Sequence, residues 1–399
     1  MNISALHPDL CSGCAACMDK CPVDAIHMQE DGTGSRRPVV DEDKCISCKQ
    51  CKKVCPQLSP FQYAPFEKQA YIGYSHDKQT SWKSSSGGLF VLLAHYILTE
   101  KKGVVYGAAM TSVDGAFHCR HIRIEDVKDL HRVQGSKYVQ SWADGVYAQV
   151  KSDLKEGRTV LFSGTSCQVA SLRNFVGENS LLFTVDLVCH GVPGDKLFRD
   201  YVEYLERKYK GKVVDMSFRA KDEEAVRKAK TYVLKVTLKD GKGQLVKKSF
   251  LRQDSSYFSL FTNRVGYRES CYHCQYASLQ KPGDITLGDF RPHPDEVTRY
   301  GLKADEHFST IIVHQEKGLS LLEAVAADCT LVQLPMSEVL KHHLNLQQPS
   351  QATDTGKQMY QLYMEGGHSR LQKHIRRVNL KKQMVKRAKS ILGKFLHWK

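Results

Sequence analysis

Eight of the fourteen cysteines fall in two copies of one spacing, C-x2-C-x2-C-x3-C followed by proline. Cys11, Cys14, Cys17 and Cys21 precede Pro22, and Cys45, Cys48, Cys51 and Cys55 precede Pro56. Three thiolates at two-residue intervals wrap a loop around one face of an iron–sulfur cube, and in duplicated arrangements the fourth cysteine ligates the other cluster. The spacing therefore predicts one 4Fe–4S cluster on Cys11, Cys14, Cys17 and Cys55, and a second on Cys45, Cys48, Cys51 and Cys21. C-x2-C pairs also suit tetrahedral zinc. Zinc does not, however, require a third C-x2-C-spaced thiol and a fourth before proline, twice over.

Six cysteines remain. Cys167 stands in FSGTSCQVASL at a strand-to-helix turn, Cys189 follows an apolar run in VDLVCHGVP, and Cys271 and Cys274 form a C-x2-C pair in ESCYHCQYAS. By spacing alone these four read equally well as ligands or as two buried structural thiols with an incidental pair. Cys119 and Cys329 fit no pattern and read as ordinary thiols.

The elements that must position these groups follow from periodicity. Residues 1–60 form a two-cluster, ferredoxin-like unit with the only internal repeat, and the polar, proline-interrupted 57–69 reads as a linker. Beyond it, YIGYS, VVYGAAM, TVLFSG, LLFTVDLVC, TYVLKVTLKD, DITLGDF and STIIVHQ read as short strands. An apolar helix follows SSSGG and closes at Gly103, and SWADGVYAQVKSDLKEG and GDKLFRDYVEYLERKYKG read as further helices. Alternating strands and helices predict an α/β or α+β core. The longest nearly apolar stretch, about 87–98, is too short to span a bilayer. MNISALHPDL shows neither a basic region nor a hydrophobic core, so the expectation is a cytoplasmic protein whose cysteines are ligands and thiols, not disulfides.

The order of motifs carries a resemblance. SSSGGLF, GSKY (135–138), GTSCQ (164–168), CHGVP (189–193), CYHC and DITLGDF, taken together over about 70–320, resemble the coenzyme F420 hydrogenase/dehydrogenase beta-subunit family. The resemblance divides the module into an N-terminal part, 61–150, and a C-terminal part, 151–348. It implies bound FAD, a third 4Fe–4S cluster on Cys167, Cys189, Cys271 and Cys274, and hydride exchange with a deazaflavin coenzyme or an organic substrate. It further implies flavin contacts from Ser86, Gly87, Gly88, Lys137, Tyr138, Thr165, Gln168, Asp284, Thr286 and Asp289, with Lys137 and His190 as candidate catalytic groups. Serines and glycines before a helix suit a pyrophosphate, though the same residues serve as a plain N-cap. His190 titrates in the right range for proton transfer, and it equally suits a hydrogen-bonding role around the cluster. Where the family often continues DxxxGDF with Trp-Gly, this chain has Arg291-Pro292. The functional expectation is an oxidoreductase relaying electrons between the clusters and FAD. The alternative is an electron-transfer subunit of a larger redox complex, or of an exopolysaccharide pathway, with its substrate site on a partner.

The net charge of +15 is concentrated in 370–399, which holds eleven Lys or Arg and no Asp or Glu, leaving only +4 for the rest. A basic core facing nucleic acid is therefore not expected. As a helix, this tail aligns Leu371, Ile375, Val378, Val385, Ala388, Leu392 and Phe395 in one stripe, with Lys381, Lys382, Lys386, Arg387, Lys389 and Lys394 around it and Trp398 at its end. Together with the polar stretch after 348, it forms the segment 349–399. A basic amphipathic helix suits the inner face of an anionic membrane. It also suits an acidic partner subunit, or packing on its own body.

Overall fold

The computed structural model describes residues 2–63, 65–113, 115–221, 232–303 and 306–396; the side chains of 386, 387 and 389–396 lie outside the described residues. The N-terminal unit is a β-hairpin, β1 (Ile26–Glu30) on β2 (Arg36–Val40), flanked by two short helices, α1 (Ala16–Asp19) and α2 (Gln50–Val54). Residues 57–63 and 65–68 carry no helix or strand. The body is built on one mixed sheet of eight strands. Its strands are β3 (Gln69–Ser75), β4 (Val104–Val113), β5 (Ala116–Ile124), β6 (Val160–Ser163), β7 (Leu182–Leu187), β11 (Ile285–Phe290), β12 (Phe308–Val313) and β13 (Cys329–Leu334). Their spatial order is β13-β3-β12-β11-β7-β6-β4-β5, parallel from β4 through β6 and β7 to β11 and antiparallel elsewhere. Strands from both parts of the module share this sheet.

Helices α3 (Leu89–Thr99), α4 (Val146–Lys155) and α5 (Ser166–Val176) cover the sheet. Leu89, Leu93, Ala94, Ile97 and Leu98 of α3 are buried, a helical period of three and four that seats the helix on β4 and β6. A second, antiparallel sheet holds β8 (Gly211–Ala220), β9 (Val233–Asp240) and β10 (Leu245–Leu251). It packs with α6 (Asp195–Tyr209), α7 (Ser256–Thr262) and the C-terminal α8 (Asp354–Leu396) around Phe198, Tyr201, Phe218 and Tyr257. The sequence expectation of a mixed α and β architecture holds.

The tail departs from its expected single stripe. Helix α8 begins at Asp354, within the stretch read as polar linker, and breaks at Gly366 and Gly367, the latter at φ +60. Leu371 and Ile375 belong to the core of the body, so the first half of the stripe is packed. Leu380, Met384 and Val385 are exposed. Trp398 and the side chains of Lys386, Arg387, Lys389, Leu392, Lys394 and Phe395 lie outside the described residues. No helix among the described residues is long and apolar enough to cross a membrane.

The sheet interior is polar where β7, β11 and β12 meet. Asp284 is fully buried and accepts from Thr184 N (2.6 Å) and Thr184 Oγ1 (2.8 Å), with Arg173 and Lys317 at 3.5 and 3.7 Å. Thr286 Oγ1 joins Asp186 and, at 2.8 Å, His314 Nε2. Burial pushes the His314 pKa down to about 3, with Lys68 and Lys281 adding to the effect. The unfolded chain thus takes up a proton near pH 6.5 that the folded chain refuses. Stability is therefore unaffected above that pH and is lost as pH falls below it, by about 1.4 kcal/mol per unit from this group. Between pH 7 and 5, His314→Gln should lose about 2 kcal/mol less than the parent chain in denaturant melts; equal losses would refute this.

The N-terminal unit is clamped to the body at its hairpin turn. Gly34 sits at φ +78, and a Cβ there would lie 2.3 Å from Lys196 N; a Cβ on Gly194 would lie 2.3 Å from Thr33 O. Asp195 N donates to Gly34 O, and Arg199 pairs with both Glu30 and Asp195. Gly34→Val combines left-handed strain with overpacking, a loss of about 3 kcal/mol. Thermal unfolding should show it, together with faster protease nicking within 57–69; an unchanged melting temperature would show the joint to be loose.

Candidate functional site

Both N-terminal motifs use the same backbone device. Left-handed φ occurs at Gly13 and Ala15 in the first copy and at Ser47 and Lys49 in the second, the same positions counted from Cys11 and from Cys45. Three of these four are not glycine, a conformation that persists only where surroundings enforce it. The turn aims an amide at sulfur, Gly13 N lying 3.4 Å from Cys11 Sγ, and Ala25 N approaches Cys21 Sγ at 3.3 Å.

The eight thiols gather in two groups that each draw on both motifs. Cys21, Cys45, Cys48 and Cys51 line one small cavity with Pro22, Ile26 and Asn2. Cys17 is surrounded by Cys14, Cys11 and Cys55, its thiol pushed far up first by burial and then by their charge. Burial likewise raises Cys11 to about 11 and Cys55 to about 12. Thiols so placed ionise only if a cation takes up their charge, which suits a metal-bearing group. Among the described residues no three His, Cys, Asp or Glu converge as a single ion requires, whereas tetrahedral zinc draws its ligands to about 2.0–2.3 Å of one ion.

Tertiary structure gathers the third set from three separate connections. Cys167 is on the first turn of α5, Cys189 follows β7, Cys271 lies on the short helix Glu269–Tyr272, and Cys274 comes just after it. Burial pushes Cys189 up to about 12, and Cys271, Cys274 and Cys167 are its charged neighbours. Val192 N and an Arg268 guanidinium nitrogen approach Cys271 Sγ at 3.4 and 3.7 Å. The chain turns after Cys189 at Gly191, where a Cβ would meet the Tyr267 ring at 2.3 Å. This set adjoins the first one: Ser171 Oγ stands 2.7 Å from Cys167 O and 3.1 Å from Cys14 Sγ.

On the other side of the third set, an aromatic cluster of Phe261, Tyr267 and Tyr138 leads to a cleft of about 200 Å³. Its lining includes Ser86, Arg219, Tyr232, Asp289, Arg291 and His307. Arg219 pairs with Asp289, approaches Tyr138 Oη at 3.4 Å and lies over the Tyr232 ring at 4.2 Å. Lys221, beside it, donates to Ser81 O and Ser86 O, and burial lowers its pKa to about 8.

The expected flavin residues divide between this cleft and the scaffold. Ser86 and Asp289 line the cleft, and Tyr138 borders it. Gly87 is committed to the sheet: its N–H donates to Ser309 Oγ (3.0 Å), its carbonyl accepts from Ser75 N, and a Cβ would lie 2.3 Å from Gly73 O. Gly88 caps α3 at φ +89. Ser84 and Ser85 bond Gln134 and Ser136, which ties the SSSGG loop to the GSKY loop. Lys137 does not line the cleft; its Nζ donates to Gln134 O (2.8 Å) and Arg132 O (3.2 Å), and burial lowers its pKa to about 8. Thr165 and Gln168 form the capping box of α5, and Asp284 and Thr286 are the buried sheet groups described above. His190 is exposed beside Cys189, within electrostatic reach of Asp289. Sequence reasoning passed over Arg219, Lys221, Tyr232, His307 and Arg268. Arg268, three residues before Cys271, had a usable signal in its closeness to a thiol pair; the others had none.

Residues 157–337 match the family described as the C terminus of the coenzyme F420 hydrogenase/dehydrogenase beta subunit, and 10–58 and 37–121 match two 4Fe-4S dicluster domain families. Ferredoxin 7Fe of Hydrogenibacillus schlegelii is 37% identical over 65 residues, 16% of this chain and 77% of that protein. A probable anaerobic dimethyl sulfoxide reductase component of Escherichia coli (strain K12), YnfG, is 44% identical over 52 residues, 12% of this chain and 23% of that protein. A chain of the xenon-derivatised F420-reducing NiFe hydrogenase complex from Methanosarcina barkeri aligns with TM-score 0.44 and 15% identity over 77% of this chain and 97% of that one. Both the motif order and the family matches lead to one conclusion: over 157–337 this protein carries the C-terminal domain of the coenzyme F420 hydrogenase/dehydrogenase beta-subunit family, and toward its N-terminal end it carries a 4Fe–4S dicluster domain.

Proposed function

We propose that the chain is an iron–sulfur flavoprotein that passes electrons between a redox partner and an organic hydride donor or acceptor, such as a deazaflavin. Cys45, Cys48, Cys51 and Cys21 hold the outermost 4Fe–4S cluster, Cys11, Cys14, Cys17 and Cys55 the next, and Cys167, Cys189, Cys271 and Cys274 a third. The observation that carries the reading is the succession of the three thiol sets, each adjoining the next, with the cleft behind the last. FAD, when bound, interconverts two-electron and one-electron steps, which clusters alone do not. Arg219, Tyr232 and Asp289 bind and orient it in the cleft, with Ser86 at the rim. His190, beside Cys189 and within electrostatic reach of Asp289, has its pKa lowered chiefly by desolvation, so its imidazole is placed to accept a proton and release it readily. Arg291, standing where relatives often have Trp-Gly, adds positive charge to this wall and favours an anionic partner. Electrons enter or leave through a protein partner at the outermost set, for Cys48 is exposed and Ile46 beside it is 61% exposed.

The cleft is smaller than the roughly 300 Å³ at which ligand pockets begin. This favours a second reading, in which a partner protein completes the substrate site. Turnover by the purified chain with an artificial electron acceptor separates the two.

Anaerobically reconstituted protein should carry about twelve irons per chain and show flavin absorbance after incubation with FAD. Cys271→Ser with Cys274→Ser should remove about four irons and leave the N-terminal clusters intact. Eight irons in both proteins would eliminate the third cluster, and absent flavin absorbance would eliminate FAD.

The free half of α8 presents Leu380, Met384 and Val385 beside Lys381 and Lys382. We infer that it meets an anionic surface, with lipid as the source to be tested. Truncation after Asn379 is the informative variant, because truncation after Gly367 would also remove Leu371 and Ile375 from the core. The full chain should sediment with anionic liposomes at low salt and the truncated chain should not, since each basic residue near such a surface contributes about 1 kcal/mol. Equal sedimentation would leave an acidic partner subunit as the target.

A further inference from the structure

Arg268 is a buried charge at the centre of this arrangement that the proposed electron path does not use. It is 6% exposed and immediately precedes the short helix that carries Cys271. One guanidinium nitrogen donates to Ser12 O, in the loop between Cys11 and Cys14. The other approaches Cys271 Sγ at 3.7 Å. Its Nε is buried with no hydrogen-bond partner. Among the described residues no carboxylate pairs with it, and the ionisable groups around it are the thiols of Cys271, Cys167 and Cys189 on one side and of Cys11 on the other.

Arginine does not deprotonate to escape burial, and a buried cation without an anion is costly. Neutral thiols offer no compensating charge. A thiolate-ligated cluster does, and each electron it accepts adds one negative charge. A cation fixed between two such groups therefore stabilises the reduced form of both.

We propose that Arg268 is the shared counter-charge of the first and third iron–sulfur sites, raising the reduction potentials of both and keeping them close to one another. The proposal rests on the third-cluster reading given above. Arg268 acts on the clusters through its charge and its contact with Ser12 and Cys271; it is a potential-setting residue, not a catalytic one.

The test compares the full chain with Arg268→Met and Arg268→Lys, each reconstituted anaerobically. Iron is counted first, and potentials are then read by titration followed by electron paramagnetic resonance. In Arg268→Met the first and third sites should become harder to reduce by about tenfold or more, at 59 mV per tenfold for one electron. Arg268→Lys should lie near the parent. The cluster on Cys21, Cys45, Cys48 and Cys51, which Arg268 does not touch, should not move. Unchanged potentials, an equal shift at all three sites, or a lysine variant that shifts as far as methionine would overturn the proposal. If the methionine protein fails to hold iron while the lysine protein holds it, charge is required and the proposal stands; loss in both means that only shape matters, and it falls. Eight irons in the parent chain would remove the third cluster instead, and Arg268 would then be judged on the first site alone.

Discussion

The arrangement depends on one contact, the approach of Cys14 to Cys167 across Ser171. Cys14 belongs to a loop of the N-terminal unit, whereas Cys167 belongs to the helix that follows β6 of the large sheet. Bringing them together requires the N-terminal unit to seat directly on the body. Ala16 and Val54 accordingly join the same hydrophobic cluster as Tyr106, Tyr147, Val169 and Phe175. Arg36 forms a two-point ion pair with Asp144 at 2.7 and 2.8 Å and covers the Trp142 ring, and Asp19 accepts from the amides of Gly145 and Tyr147 at the start of α4. Each of these contacts replaces water with protein on both sides, so the joint behaves as core and not as a surface patch.

The sheet topology explains why the third thiol set has the composition it does. Strands β6, β7 and β11 run parallel, so the connections leaving their ends collect at one edge of the sheet. Cys167 and Cys189 follow β6 and β7 at such ends. Cys271 and Cys274 are brought to them by a different contact, since Arg268 N donates to Val192 O and Tyr267 bridges Pro193 in the turn after Cys189. The buried groups between these strands, Asp186, Asp284, Thr286 and His314, hold the strand ends in register through hydrogen bonds that neither partner can exchange for water. Residues in DITLGDF therefore shape the site mostly from behind, and only Asp289 and Phe290, at the open end of β11, reach the cleft.

How much of this was legible in the sequence varies with the range over which each feature is encoded. The N-terminal sets were legible because their ligands lie within local loops of fixed spacing, and the proline-flanked repeat excludes most rivals. The third set was not legible from spacing, since its members come from three separate connections that only the tertiary structure unites. Apolar strands such as Phe308–Val313 were found, whereas Ala116–Ile124 and Leu245–Leu251 were passed over, because an edge strand can carry His, Arg and Lys without hydrophobic alternation. The SSSGG motif suggested a phosphate cradle. Its glycine at 87 answers a different demand, the close passage of β3 and β12, and short Gly/Ser runs do not reveal which of these they serve.

The two N-terminal repeats give the clearest case of tertiary structure writing itself into local sequence. Their backbones match at the left-handed positions, yet their residues differ. Gly13 and Ala15 are buried, while their counterparts Ser47 and Lys49 are exposed. Left-handed geometry alone does not demand glycine at 13, because serine adopts it at 47. What demands it is the body: a Cβ on Gly13 would stand 2.7 Å from Gln140 Nε2, which donates to Gly13 O, and 2.7 Å from Arg36 O. Lysine at position 15 would have to bury an unpaired ammonium against the core that Ala15 faces, whereas Lys49 keeps its charge in water. The small residues thus mark the motif that turns inward toward Cys167, and the polar ones mark the motif left open to a partner. The direction in which the two clusters are strung was therefore present in the sequence, in the difference between two otherwise equal repeats.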